Sequence, residues 1–560
     1  MPNMENETFE RSLSPWRFWL PRIVFAIAAP LLLLALVESA LRIFHIGYET
    51  SLMEPCTIHG NSSFCYNLFF AAPFFPPGMI KTPQFYSIDP VKPPNAYRIF
   101  VLGESAAMGD PDPAYGFSRY LEVMLRERFP GRKFEVVNTG MVAINSHVSR
   151  VIAQELAAYQ PDIYIVYAGS NEVVGPYGPG TVLTAGSMSL PVVRASMFLR
   201  SLRIGQLLAE SGHPKQEWRG MEMFLDKQVR ADSPRMEPAY RNFASNLKDI
   251  VEAGHRAGAR VLLSTVAGNL RDSAPFGSLH RAGLSADALQ AWSALVQQGA
   301  AAETSQSYSE ALKYYASATQ IDDQYAELEF RIARCRWQTG DFAAAKRDYA
   351  RARDLDTLRF RADSRINEII RSTAKGMPND VVLLDTEALF AGASQNGVTG
   401  GELLYDHVHL TPLASYDLAR EAFKEVVKTL PPEVRGATAS ADPLTQAECE
   451  RLLAFTMHDR ARVASEMASR MQRPPFTTQL NHMDQLQSLM LRASVPTESL
   501  SATVSQYQWA IAQAPGDLVL HYKFGLFLFD YDRVASAQEL VLARPNDDFP
   551  VFLPDGTRIQ

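Results

Sequence analysis

The sequence has no run of lysine and arginine, and no stretch that interleaves basic with aromatic residues. Its formal net charge of −7 is spread over 560 residues, so the chain offers neither a basic face for phosphates nor a polyanionic tail. Nucleic acid is therefore excluded as a partner. Cysteine is scarce, with four in the chain. The densest set of metal-ligand types, Asp406-His407-Val408-His409, has no two further ligands at zinc-like spacing, so no metal is expected. Long uncharged apolar runs are missing as well, with one exception near the N-terminus.

That exception is Ile23–Val37, IVFAIAAPLLLLALV, flanked by Arg22 and Glu38 and preceded by Trp16, Phe18 and Trp19. A spanning helix takes ~20 residues, a length the segment reaches when Arg22 snorkels outward. Arg11, Arg17 and Arg22 precede it, whereas only Arg42 follows closely. The positive-inside bias then puts the N-terminus in the cytoplasm and everything after about residue 45 outside. A signal peptide cut near Val37-Glu38-Ser39 and a buried helix of a soluble domain are the rival readings. Apolar residues resume at Leu41, Ile43 and Phe44, which favours an uncleaved anchor. Cys56 and Cys65 bracket a short loop just beyond, and a local disulfide there suits an oxidising compartment. Cys335 and Cys449 sit in helical patterns and read as small buried apolar residues. Residues 46–95, rich in proline and aromatics, are expected to strap the outside of the core without regular structure.

From Tyr97 onward, apolar runs alternate with helical patterns, which argues a parallel sheet covered by helices on both faces. The expected strands are Tyr97–Leu102, Phe134–Val137, Ile163–Tyr167, Arg260–Thr265 and Val381–Leu384. Helices are expected around Phe117–Phe129, His147–Tyr159 and Tyr240–Ala257. A repeat interrupts this alternation. Tyr308, Ala311, Tyr315, Ala318, Ile321 and Asp322 recur 34 residues later as Phe342, Ala345, Tyr349, Ala352, Leu355 and Asp356, the tetratricopeptide period. Pro515, Gly525 and Ala537 fit the same template more loosely. Such repeats most often bind a protein partner.

Four blocks carry the chemistry. Gly103-Glu104-Ser105 ends the first strand in a tight turn, Asn138-Thr139-Gly140 follows the second, and Gly169-Ser170-Asn171-Glu172 follows the third. Asp406-His407-Val408-His409 precedes a helix expected to open at Thr411-Pro412. Ligand sites in open α/β sheets form at the carboxyl ends of strands, where the first three blocks fall. A serine hydroxyl needs a base to take its proton. His409 is the base expected for Ser105, with Asp406 orienting its ring from three residues away. His407 is expected to line the site or face solvent, and His147 to cap a helix or lie at the surface. Asn269 and Arg271, just past the fourth strand, are candidates for substrate contact; an Arg271–Asp272 structural pair is the alternative.

These four ordered blocks resemble the SGNH (GDSL-like) esterase superfamily. The stretches Asn138–Met141, Asn145–His147 and Asn269–Phe276 resemble its membrane-anchored, repeat-containing bacterial branch. The resemblance spans roughly residues 18–430 and implies an α/β fold: a flavodoxin-like three-layer parallel sheet with inserted α-helical repeats and an N-terminal transmembrane helix. It implies an oxyanion hole from the Ser105 and Gly140 backbone N–H groups and the Asn171 side chain. Where the family has Gly-Asp-Ser and Gly-x-Asn-Asp, this chain has Gly-Glu-Ser and Gly-Ser-Asn-Glu.

The expected organisation is a cytoplasmic N-terminus (1–17), an anchor (18–44), a connector (45–95), a hydrolase in two parts (96–290 and 361–430) around inserted repeats (291–360), and a helical C-terminal region (431–560). The expected activity is cleavage of an O-acyl ester, such as acetyl on an envelope glycan, in the periplasm of a bacterium and without a cofactor. An acyltransferase acting on such a glycan with the same residues, and a non-catalytic scaffold built on the repeats, are the alternatives.

Overall fold

The computed structural model describes residues 15–58, 60–186, 189–212, 217–435, 442–496, 498–544, 551–555 and 557–558. Most of the expected cytoplasmic segment, including Arg11, lies outside the described residues, as does His59 in the loop between Cys56 and Cys65. The chain opens with one long helix, Pro15–Ile43. Its stretch Trp19–Ile43 holds an apolar window of mean hydropathy 2.4 with no buried residue, so it is long and apolar enough for a membrane anchor or a signal sequence.

The segment expected to be an irregular strap forms a ribbon instead. β1 (Met53–Ile58) pairs antiparallel with β2 (Asn61–Tyr66), and β2 pairs with the short β3 (Ser87–Ile88). A disulfide joins Cys56 to Cys65 across the first pair. Proline and polar residues interrupt the alternation that marks a strand, so this pairing left little trace in the local pattern. The aromatics between β2 and β3 do serve the core: Phe70, Phe74 and Phe75 are buried in it.

Five parallel strands form the main sheet: β4 (Ala96–Gly103), β5 (Lys133–Asn138), β6 (Ile163–Tyr167), β7 (Arg260–Ser264) and β8 (Val381–Leu384). Their spatial order is β5-β4-β6-β7-β8. The chain reverses direction across the sheet after β5, so β4 and β6 flank a switch point where their carboxyl ends open a crevice. The register sets Gly103 beside Tyr167 and Val101 beside Asn138, which brings the first three blocks to one edge. Helices Phe117–Arg128 and Pro412–Thr429 pack together on one face. Ser146–Leu156, Met236–Arg256 and Ser364–Gly376 pack together on the other. Covered on both faces, β6 reads as an unbroken apolar run, every residue buried.

Between β7 and β8 the chain makes two helical hairpins, Ala286–Thr304 with Tyr308–Ile321 and Ala326–Gln338 with Phe342–Leu355. The residues related by the 34-residue offset occupy equivalent places. Tyr308 and Phe342 open their helices, while Ala311, Tyr315 and Ala318 are buried as are Ala345, Tyr349 and Ala352. Past β8 and helix Pro412–Thr429, a helical region follows whose largest members include Met457–Met471, His482–Ala493 and Leu500–Gln513. It folds back onto the sheet domain. Asn481 Nδ2 donates to the Asp272 carbonyl over 2.9 Å, and Arg492 Nη2 to that of Gly401 over 2.7 Å. Lys523 Nζ reaches Asp112 at 2.6 Å, and Arg462 also pairs with Asp112.

Candidate active site

Ser105 owes its position to the turn before it. Gly103 has φ +156°, and a Cβ there would lie 2.0 Å from the Tyr167 carbonyl oxygen of β6. Only glycine lets the chain leave β4 this close to its neighbour. Glu104 is extended, and Ser105 then opens the four-residue helix Ser105–Met108. Ser105 Oγ lies 2.9 Å from His409 Nε2, across 304 residues of sequence. His409 Nδ1 is 2.7 Å from Asp406 Oδ2. A carboxylate can only accept, so the proton of the ring resides on Nδ1, and Nε2 presents a lone pair to the serine. Asp406 is itself fixed: its Oδ1 accepts from the backbone N–H groups of Val408 and His409, each at 2.9 Å.

Electrostatics favour this arrangement. Burial alone would raise the Asp406 carboxyl, but His409 and His407 outweigh it and hold Asp406 well below the usual carboxylate range. Burial likewise opposes charge on His409, yet Asp406 and then Asp110 hold its ring above the ordinary 6.5. Asp110 was not anticipated. Its Oδ2 lies 3.1 Å from His409 Nε2. Arg470, from helix Met457–Met471, holds the same carboxylate with two bonds of 2.5 and 3.0 Å. The Asp110 side lies five residues after Ser105 and could have been noticed there. Nothing in the sequence links it to Arg470, 360 residues further on.

Two glutamates, Glu104 and Glu172, tie the blocks together. Glu104 is 3% exposed. Its carboxylate accepts from the backbone N–H groups of Gly169, Ser170 and Asn171 at 3.1, 2.8 and 3.2 Å. Burial and the neighbouring Glu172 push it up to about 8, against the pull of those donors. Glu172 accepts from the Ser146 N–H at 2.8 Å and its hydroxyl at 2.7 Å, and burial lifts it to about 7. The extra methylene of glutamate spans the gap between turns, and the loop bearing Asn171 is held against the serine turn.

The expected oxyanion donors are in different states. The Ser105 backbone N–H donates to no group among the described residues. Asn171 Nδ2 donates one hydrogen to the Ile144 carbonyl at 3.0 Å, which orients the amide and leaves its second N–H. Gly140 differs from expectation: its N–H donates to Asn138 Oδ1 at 2.9 Å and would have to leave it to serve an oxyanion. Its lack of a side chain has a packing reason, because a Cβ would meet the Met108 nitrogen at 2.7 Å.

No protein-family model and no curated protein matches the chain. Among solved structures, an acetyl xylan esterase is similar over 59% of this chain and 99% of its own, with a TM-score of 0.27 and 11% identity.

Two expectations, on His407 and His147, need correction. Asn269 lines the same cavity as Arg271, and protein groups hold its amide: its Nδ2 donates to the Asp406 carbonyl at 3.0 Å, its N–H to the His407 carbonyl at 3.0 Å, and its Oδ1 accepts from Asp272 N–H at 2.9 Å. It braces the loop that carries Asp406 and His409. His407 does not face solvent; it packs beside the site, its ring 5.7 Å from that of His409. It is 4% exposed, against the rings of Phe276, Phe360 and Phe476, and burial holds its ring below the ordinary value. His147 is buried too, 3.0 Å from Asn246 Nδ2, and burial lowers it to about 3; the cap of that helix is Asn145. Neighbours distant in sequence surround both, Asn246 beside His147 and three phenylalanines around His407, so local pattern could not reveal their burial.

Arg271 pairs with Asp272 at 2.8 Å and Glu402 at 2.5 Å. It lines a cavity of about 440 Å³ shared with Arg334, Trp337 and Arg492. Asp406, His407 and His409 are close enough for a metal ion. A cation there would compete for Asp406 Oδ2, which lies 2.7 Å from His409 Nδ1 and 3.4 Å from His407 Nδ1. That donor set fits proton transfer better than metal binding.

Proposed function

We propose that this chain is a membrane-anchored serine esterase of the SGNH type that cleaves an O-acyl ester through a Ser105 acyl-enzyme. The observation that carries this reading is the Ser105–His409–Asp406 chain of contacts, 2.9 and 2.7 Å long, assembled from segments 304 residues apart. Serine, base and orienting carboxylate in that order form a proton path from a nucleophile to a stabilised imidazolium.

Ser105 Oγ attacks the acyl carbon while His409 Nε2 takes its proton. The Ser105 N–H and the Asn171 amide support the resulting oxyanion, joined by the Gly140 N–H if it leaves Asn138. Collapse breaks the ester C–O bond, and the departing alkoxide takes the proton from His409. Water then attacks the acyl-enzyme with His409 again as base, releasing the acid and Ser105. An acyl acceptor such as a sugar hydroxyl in place of water would make the same residues a transferase.

In this reading the helix within residues 18–44 is an uncleaved anchor in a bacterial inner membrane, with the sheet domain on the periplasmic side. The substrate is a small O-acyl group, acetyl in the first instance, on an envelope glycan. The helical hairpins between β7 and β8 are tetratricopeptide-like and present a surface for a protein partner. Their 34-residue offset and matching buried positions support this.

The test is hydrolysis of a chromogenic acetyl ester by the full chain in detergent. Turnover lost in both Ser105→Ala and His409→Ala supports the reading. An undiminished rate in Ser105→Ala sinks it. Adding a glycan acceptor and analysing products by mass spectrometry separates released acid from transferred acyl group.

A further inference from the structure

Helices Leu190–Ser201 and Arg203–Gly212 present apolar side chains to the outside. On the first, Val193 and Met197 are buried, while the exposed positions are Pro191, Val192, Ala195, Phe198 and Leu199, all apolar. Their spacing follows the helical repeat, so they form one continuous stripe. Phe198 is 64% exposed and Leu199 57%. On the second helix Arg203 and Gln206 are buried, whereas Leu208 is 70% exposed. Arg203 reaches Glu49 at 2.5 Å, and Gln206 Nε2 donates to the Tyr48 carbonyl at 3.0 Å. A water-facing pair of helices would show the opposite distribution.

The place of this face in the molecule identifies its occupant. Glu38, inside the N-terminal helix, accepts the backbone N–H groups of Arg203 and Ile204, each at 3.1 Å. Helix Arg203–Gly212 therefore begins beside the N-terminal helix, at a point about 8 Å before that helix ends at Ile43. Glu38 also pairs with Arg42 at 2.8 Å, the first charges after the apolar run. The exposed stripe thus starts where a spanning segment would leave the hydrocarbon. Phe44, 74% exposed, and Phe69, 48% exposed and stacked on Tyr48, extend the apolar surface at that level. An apolar helix face beside a span, with Arg203 Nη2 and the Gln206 amide turned to protein partners, is the pattern of a helix lying in the membrane interface.

We propose that the exposed face of helices Leu190–Ser201 and Arg203–Gly212 lies in the lipid headgroup–acyl boundary of the membrane that the N-terminal helix crosses. The inference rests on the anchor reading and adds a second, in-plane contact to it. That contact fixes the orientation of the sheet domain on the bilayer. It also reaches toward the candidate site, because Tyr177 packs against His147 and its hydroxyl lies 3.2 Å from Ser196 of the first helix.

The test places the photoreactive residue p-benzoylphenylalanine singly at Phe198, Leu208, Leu33 or Tyr531 of the full chain. All four positions are exposed, so folding is not at stake. The protein is reconstituted in phosphatidylcholine–phosphatidylglycerol vesicles, irradiated, and lipid adducts are measured by mass spectrometry. Leu33 reports the anchor and Tyr531 the background. The expected result is adduct yield at Phe198 and Leu208 at least about tenfold above Tyr531, as for a helix seated in the interface. Adducts at Leu33 but not at Phe198 and Leu208 overturn the inference and leave the anchor standing. With none at Leu33 the anchor reading fails. The inference then fails with it, because it places this face in the membrane that the N-terminal helix crosses.

Discussion

Asp110 Oδ2 lies 3.1 Å from His409 Nε2, the same nitrogen that faces Ser105 Oγ at 2.9 Å. The nucleophile and a carboxylate therefore share one ring nitrogen. A neutral ring serves Ser105, whereas a protonated ring donates to Asp110. Arg470 moderates this competition by holding the Asp110 carboxylate from the C-terminal region.

The pH–rate profile reads that balance. A base works only when unprotonated, so activity falls as pH drops through a value above 6.5, because His409 is raised. Asp110→Asn removes an anion that favours imidazolium and shifts the acid limb to lower pH. Arg470→Gln removes an opposing cation and shifts it up. Limbs that coincide in all three proteins would remove Asp110 and Arg470 from the site's electrostatics.

Asn171→Ala tests the oxyanion hole. Loss of one preorganised donor is expected to lower kcat by ~10²–10³-fold with little change in KM. The Glu104 bonds to the backbone of this loop do not involve the side chain, so the variant should stay folded, its denaturant midpoint lowered only by the lost bond to Ile144, about 1 kcal/mol. An unchanged kcat would show that the amide serves only its bond to Ile144.

Much of this site was legible because each block ends a strand whose apolar run is visible by itself. β6 lies at Ile163–Tyr167 and β8 at Val381–Leu384, as their patterns indicate, and the other three strands differ by a residue or two at their ends. What escaped depends on partners far away in sequence. The β1–β2 ribbon is defined by pairing and a disulfide, with proline inside it. Arg470 reaches Asp110 only because the C-terminal helices fold back over the sheet domain. His407 reads as a polar residue until Phe276, Phe360 and Phe476 close around it.

Glu172 and Glu104 make stability depend on pH. Both carboxyls are raised above 4.5 in the folded chain, to about 7 and about 8. A raised carboxyl binds its proton more tightly when folded, so its contribution is complete below 4.5 and is lost as pH rises through 7 to 8. Glu172→Gln keeps an acceptor for the Ser146 N–H and removes the charge, since the hydroxyl can turn to accept. Denaturant unfolding should then show a smaller loss of stability between pH 5 and pH 9 than in the parent. An equal loss would assign the pH dependence to other groups.

A chelator separates proton transfer from metal chemistry at Asp406, His407 and His409. Ester hydrolysis is expected to be unchanged after EDTA treatment and desalting. Loss of activity that zinc restores would make these three residues metal ligands and end their reading as base and orienter.

The most direct measurement of the central claim is covalent. The full chain and its Ser105→Ala variant are treated with a fluorophosphonate, and the adduct is located by peptide mass spectrometry. The account predicts a single adduct on Ser105, absent from the variant, and slower labelling in His409→Ala. Labelling elsewhere, or none in the folded parent protein, would contradict it.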